Sequence, residues 1–401
     1  MFRLALRNVF RHKMRTALTV AAIVTGVVAL VLSGGFVEDS LLQLREATIH
    51  SQLGHLQIHA AGYRRAGNPQ SKQSIDDPGL VVRAAQNLPQ VEDVMARLTF
   101  EAVLNNGRTD IPVLGVGLEP EKEAKLGSLV SIIAGRPLSG DPYEVLLGEG
   151  VAATSKLKPG DHATLITNTA AGALNNIDFT VAGVFRSFSK DYDARAVRVP
   201  LAAAQELLDV RAVNEIVVSL KQTEFTNDVA ALLRKQLDPG VYEIETWERL
   251  ADFYDKAAAL YRRQFLVMQV IVLIAVLLGV ASSVSMTIFE RIGEFGTMKA
   301  LGNGSGRIFR LAIAENLLLG LIGSGAGVLL GVLLAWSISI VGIPMPPPPN
   351  SSVGYIAVIR IVPWVLASAF TVGVLATLAA AILPARRAAR LPVVEALREN
   401  Q

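Results

Sequence analysis

The chain has 401 residues, of which 51% are hydrophobic and only 18% charged, with a formal net charge of +3. A soluble domain holds about 25% charged residues, so part of this chain is suited to lipid, and it lacks the basic stripe and aromatic platforms of a nucleic-acid binder. It has no cysteine, which excludes disulfides, thiolate metal sites and cysteine nucleophiles.

In chain order, the tail 1–15 comes first. Arg3, Arg7 and Arg11 share one helical face and Phe2, Leu6 and Phe10 a neighbouring one, the pattern of an amphipathic helix lying in the headgroup layer. A bilayer core of about 30 Å needs about 20 apolar residues. Residues 16–37 meet this without a charge and form the first predicted span. The run is too long for a signal-peptide core and no small-residue cleavage site follows it, so it is expected to stay as an anchor. Leu41, Leu42, Leu44 and Ile49 continue an apolar stripe after it, and Trp247, Leu250, Phe253, Tyr254, Leu260 and Tyr261 form another before the second span. Both spans are therefore expected to extend outward as a stalk.

The stretch 38–263 is long enough for one α+β domain or two small lobes. Strands are expected from Leu56, at 100–104, at 111–116, at 162–167, at 179–185 and at 215–220, with a hairpin turn at Asn105-Asn106-Gly107 and another turn at Pro159-Gly160-Asp161. Helices are expected at 201–208 and 227–237. His55 and His59 lie four apart but in a strand context without HExxH spacing, so they read as two partly exposed histidines on a sheet rather than zinc ligands. There is no P-loop, no nucleophile elbow and no defensible pair of carboxylates, so no catalytic residue and no bound cofactor or metal is assigned.

The remaining spans are predicted at 264–289, 316–343 and 361–385, separated by a loop at 290–315 and a short one at 344–360, with a tail at 386–401. In the third span Gly323, Gly327, Gly331 and Ala335 repeat every four residues, and Gly320 with Ser324 adds a second track. Such small-residue ridges let helix backbones approach closely, within one subunit or across a dimer. Trp336, Tyr355 and Trp364 suit an interfacial belt, and Pro344 with Pro346 to Pro349 ends the third span. Arginines and lysines concentrate in the N-terminal tail, at Arg291, Lys299, Arg307 and Arg310, and at Arg386, Arg387, Arg390 and Arg398, whereas the 344–360 loop has only Arg360. The positive-inside rule then places both termini and the 290–315 loop in the cytoplasm and 38–263 outside. The expected fold is a membrane all-α core of four transmembrane helices, with a large extracytoplasmic α+β domain inserted between helices 1 and 2.

The 290–315 loop opens with Glu290-Arg291-Ile292-Gly293-Glu294-Phe295-Gly296-Thr297-Met298-Lys299-Ala300-Leu301-Gly302. This stretch resembles the family of ABC transporter membrane subunits of the FtsX, MacB and LolC/LolE types. Leu6-Arg7-Asn8-Val9, the run from Gly148 to Gly160 with Asp161, and Pro384 to Arg390 with Glu395-Ala396-Leu397-Arg398 resemble it as well. Phe295 stands where the family usually has isoleucine or valine, and Pro392 falls one position early. The resemblance implies a non-enzymatic permease of a bacterial inner membrane. It implies two copies of a separate ABC ATPase that carry ATP and Mg, and a second permease copy or paralogue. Within that family the likeness points to extraction of a lipoprotein or other lipophilic cargo, with MacB-like efflux or FtsX-like signalling to a cell-wall hydrolase as alternatives. In the loop, Glu290, Arg291, Glu294 and Lys299 are expected to make polar contacts with the motor, while Ile292, Phe295 and Met298 form a hydrophobic knob beside Leu301. Gly293 and Gly296 allow close approach, and Gly302 through Gly306 is a flexible break before the third span.

Overall fold

Four apolar runs become four long helices in the computed structural model, at Lys13–Thr48, Asp252–Glu290, Ser305–Val341 and Pro363–Arg390. Each is long and apolar enough to cross a membrane. A large mixed α/β domain is inserted between the first and the second, which is the fold class expected from the sequence. The structure describes residues 13–63, 74–125, 130–187, 189–347 and 354–390. The amphipathic segment through Arg11, Pro348 and Pro349, and the C-terminal Pro392 and Glu395 to Arg398 lie outside the described residues. The chain divides into a helical unit (up to Leu42, Ala257–Pro344 and from Ile356) and a sheet unit (Gln43–Lys256 with Met345–Tyr355).

The helices outrun the apolar runs that identify them. The first has 36 residues, about 54 Å at 1.5 Å per residue, far more than a bilayer core requires. The third begins at Ser305, so 305–315, expected in the loop, is helical; only Leu301 to Gly304 separates it from the helix before. The fourth continues through Pro384 to Arg390, so Arg386, Arg387 and Arg390 extend that helix.

Packing in the helical unit follows the small residues. A Cβ built on Gly323, Gly327 or Gly331 would lie 3.0, 2.7 and 3.0 Å from the Cβ of Ile23, Val27 and Val31. The four-residue ridge of the third helix therefore receives the four-residue ridge of the first, inside one chain. The second track faces the fourth helix, with a Gly320 Cβ placed 3.3 Å from Thr377 Cβ and Gly373 lying against Ser324. Ala335 is fully buried. The core of the unit joins Ile23, Val27 and Val31 with Val276, Val280 and Val284 of the second helix and Ala369, Ala376 and Ala380 of the fourth. Leu266, Ile271 and Leu278 of the second helix are exposed, an apolar face of the kind lipid covers. Trp336 and Trp364 are exposed too.

The sheet unit holds one ten-stranded sheet: β1 Leu56–Ala60, β2 Val91–Asn105, β3 Asp110–Leu118, β4 Ser131–Gly135, β5 Glu144–Gly148, β6 His162–Asn168, β7 Leu174–Arg186, β8 Ala196–Pro200, β9 Glu215–Leu220 and β10 Tyr242–Thr246. The order is β10-β1-β9-β2-β3-β8-β5-β7-β4, and β6 pairs with β2 and β7. The unit's two largest hydrophobic cores among the described residues form on this sheet. One holds Phe100, Leu147, Leu165, Phe179 and Leu207; the other holds Leu56, Ile58, Val94, Val218, Leu233 and Ile244. Strand β2 serves both, pairing with β9 up to Arg97 and with β6 from Val103. Between those points its edge is held by side chains. Asn214 Nδ2 donates to Thr99 O at 2.6 Å, Thr99 N donates to Asn214 Oδ1 at 2.9 Å, and Thr167 Oγ1 donates to Glu101 O at 2.6 Å. The hairpin from β2 to β3 closes over 106–109, with Gly107 at φ +80° and Asn106 Oδ1 accepting from the N–H groups of Arg108 and Thr109.

A charged cluster is sealed into this unit. Glu123, on the short helix Pro120–Lys125, accepts from Arg97 Nη2 at 2.8 Å and from Arg198 Nη1 at 3.0 Å. Glu215 lies 3.7 Å from Arg97, and Arg198 sits 4.8 Å above the Phe185 ring. All three members of the triad are buried. Burial works to raise the Glu123 pKa, but the two guanidiniums outweigh it and hold the carboxyl below its ordinary value.

His55 and His59 are buried rather than partly exposed: His59 lies in β1, both faces of which are covered, and His55 stands immediately before that strand. His59 Nδ1 donates to Asn214 O at 2.8 Å, and its ring stacks on Tyr63. Leu220 N donates to His55 Nδ1 at 3.1 Å, which leaves His55 Nε2 to carry the proton and donate to Thr223 Oγ1 at 3.2 Å. Burial pushes the His55 pKa from 6.5 down to about 4. Between those values the unfolded chain binds the extra proton and the fold does not, so stability falls as pH falls from 6.5 towards 4. That gap corresponds to about 3 kcal/mol. His55→Gln is expected to flatten the stability–pH curve in this window, measured by chemical unfolding at stepped pH; an unchanged slope would show that His55 does not control it.

Candidate functional site

Between the second and third long helices lies a short helix, Ile292–Ala300. Glu290 ends the second long helix and Arg291 follows as the single residue between the two helices. At the far end Gly302 takes φ +86°, a left-handed conformation that favours glycine, and Gly304 caps the third long helix. The short helix is thus joined covalently to both neighbours by very little chain.

Its two faces differ. Ile292, Phe295 and Gly296 are buried, and Phe295 belongs to the bundle core with Ile308 and Ala388. Met298 packs on that core and on Leu311 and Leu318. Ile292 and Phe295 are therefore not an outward knob: their three-residue spacing turns both towards the helices of their own chain. Glu290, Glu294 and Thr297 are exposed, Gly293, Met298 and Lys299 half-buried, and Gly302 exposed. A large apolar side chain that does face outward is Leu301, 78% exposed.

Arg291, expected to make a contact outside the chain, is also turned inward. Its Nη1 donates to Glu315 Oε2 at 2.7 Å, its Nε donates to Glu294 Oε2 at 2.9 Å, and the guanidinium lies 5.2 Å from the centre of the Phe295 ring. Burial disfavours its charge, but the Glu315 and Glu294 carboxylates more than compensate and hold its pKa above the ordinary value. Glu315 is the residue that reading the sequence missed. A signal was present: it is the only acid between Glu294 and Glu395, at the head of an apolar run where a lone charge is costly.

A bundle of four membrane-crossing helices, interrupted after the first by a sheet domain and carrying a short anchored helix between the second and third, defines a class of polytopic membrane protein. Residues 16–236 match the family described as MacB-like periplasmic core domain, and residues 266–393 match the FtsX-like permease C-terminal. The chain belongs to this family of ABC transporter permeases. It is 25% identical over 273 residues to the lipoprotein-releasing system transmembrane protein LolC of Xylella fastidiosa, covering 64% of each chain. That is less than two thirds of the relative's length. It is 24% identical over 416 residues to an uncharacterized ABC transporter permease of Methanocaldococcus jannaschii, covering 98% of this chain and 96% of the other. It is also 24% identical over 400 residues to the macrolide export ATP-binding/permease protein MacB of Salmonella typhimurium, covering 96% of this chain and 58% of that one.

Proposed function

We propose that this chain is the membrane-spanning subunit through which separate ATPase subunits drive a movement of the sheet domain, so that a lipoprotein or other lipophilic cargo is drawn from a bacterial inner membrane. The observation that carries the reading is the short helix Ile292–Ala300. One face is locked into the bundle, and the other offers Glu294, Thr297 and the exposed Leu301. An apolar side chain ringed by polar ones is what a soluble motor subunit can grip. Two ATPase copies hold ATP and Mg in this scheme, a second permease copy or paralogue completes the complex, and the clustered arginines put both termini on the motor's side. Cargo extraction rests on the likeness to LolC. Efflux is a second reading, favoured by the match of residues 16–236 to the MacB-like domain.

The test is co-purification from native membranes through a tag after Gln401, comparing wild type with Glu294→Lys and Leu301→Asp. Both positions are exposed, so the fold is expected to survive. An ATPase is expected with wild type and about tenfold less or none with either variant, as for loss of an interface anchor. Cargo identified by mass spectrometry then chooses between extraction and efflux. Absence of any ATPase from the wild-type preparation overturns the reading.

A further inference from the structure

The short helix Ile292–Ala300 could pass a force to the bundle or simply swivel beneath it. Its covalent links favour swivelling, since one end turns on Arg291 alone and the other on Leu301 to Gly304, with Gly302 at φ +86°. Its apolar contacts through Phe295 and Met298 fix where it rests, but such contacts can slide with little directional cost. The Arg291–Glu315 pair is different in kind. Two guanidinium nitrogens address the two carboxylate oxygens, Nη1 to Oε2 at 2.7 Å and Nη2 to Oε1 at 3.4 Å, across 24 residues of sequence. Both side chains are largely shielded from solvent. A planar, two-point charge pair resists rotation as well as translation, and because both side chains are shielded from solvent, breaking it costs more than breaking an exposed pair.

Glu315 lies ten residues inside the third long helix, about 15 Å along its axis from Ser305. Arg291 also bonds Glu294, which stands on the exposed side of the short helix. A load applied to that side therefore reaches Glu294, then Arg291, then Glu315, bypassing the glycine-containing link. We infer that the Arg291–Glu315 pair is the strut that makes the short helix and the third long helix one rigid body, with Glu315 the positioning residue that receives the load. This rests on the proposed function for the source of the load, but the rigidity itself does not.

The chain has no native cysteine, so introduced ones label uniquely. Spin labels at Thr297→Cys and Ile322→Cys, both exposed positions, report the separation of the two helices in the full chain in lipid nanodiscs. One narrow distance distribution is expected for the wild-type background. Glu315→Gln should add a second, displaced population, and the exchange Arg291→Glu with Glu315→Arg should remove it. Glu315→Asp, which keeps the charge but shortens its reach, serves if the glutamine variant does not fold. A distribution unchanged by both Gln and Asp, or one already broad in wild type, overturns the strut. In the ATPase complex, trapping with ATP and vanadate should change the spectrum of single labels at both positions in wild type. In Glu315→Gln it should change only at Thr297, while ATP hydrolysis persists. A change at both positions in the variant also overturns the proposal, whereas failure to recover any ATPase counts against the proposed function alone.

Discussion

Glu123→Gln is expected to cost the sheet unit about 3–5 kcal/mol, because it leaves the buried guanidiniums of Arg97 and Arg198 without the carboxylate they share. Glutamine keeps the shape, so the loss reports charge rather than a cavity. Glu215, 3.7 Å from Arg97, compensates one guanidinium in part, while Arg198 keeps its aromatic neighbours Phe185 and Tyr192 and the weaker field of the Asp193 carboxyl. The fluorescence of Trp247, buried in this unit, follows unfolding once the exposed Trp336 and Trp364 are replaced by phenylalanine. The depressed Glu123 pKa fixes the pH dependence: the triad contributes fully above the ordinary carboxylate value and loses its contribution as the pH falls through the lowered one. The difference between wild type and Glu123→Gln should therefore shrink in acid. Replacing the charges together, as Arg97→Met, Glu123→Leu and Arg198→Met with Glu215→Gln, should restore most of the loss, since desolvating the ions offsets much of what their attraction returns. A single-variant cost under about 1 kcal/mol would show that water reaches the cluster.

The second large effect is in the helical unit. Gly327→Leu is expected to destabilise the bundle by about 3 kcal/mol or more, since even the first carbon of a side chain would stand 2.7 Å from Val27 Cβ and 3.2 Å from the Val24 carbonyl oxygen. The carbonyl cannot swing aside, so the first and third helices must part along the whole ridge. Gly325, two residues away on the same helix, has nothing within 4 Å of an added Cβ. Gly325→Leu is therefore the matched control and should be close to neutral. Thermal unfolding in nanodiscs distinguishes them, and Val27→Gly combined with Gly327→Ala should recover part of the stability, since it removes the Cβ that the added carbon would meet at 2.7 Å. Equal melting temperatures for the two leucine variants would mean that the ridge is not a tight contact.

The fold class was legible because the bilayer imposes a crude rule: four uncharged runs of sufficient length have few other uses. Local patterns in the sheet unit were also clear, and the strand Glu215–Leu220 and the helix Leu201–Leu208 fall where periodicity and turn residues put them. Non-local pairing was not legible. Nothing near Leu114 announces a parallel neighbour at Ala196, and Arg97 and Arg198 look like solvent-facing strand positions until Glu123 is placed between them. The short helix shows the same limit at the candidate site. Its position could be read from sequence, but Ile292 and Phe295 could equally be an exposed knob or a buried face until the partner helices were in place. Arg291 reads as a contact for another protein only while Glu315, 24 residues on, is hidden inside a hydropathic run.

The order in which the sheet is completed has a consequence for how the protein is made. Strand β1 leaves the ribosome first, yet its two neighbours are β9 and β10, the last strands of the domain. About 190 residues separate Leu56 from Thr246, and at 5–20 residues per second that interval is on the order of ten seconds or more. Throughout it the nascent β1, with Leu56 and Ile58, is an apolar strand with both edges open, the form most prone to mispairing. The lobe built on Phe100, Leu165 and Phe179 can close while β1 is still waiting, so the two lobes mature in sequence. The one made of the earliest and the latest residues sets when the second membrane helix can follow a finished domain.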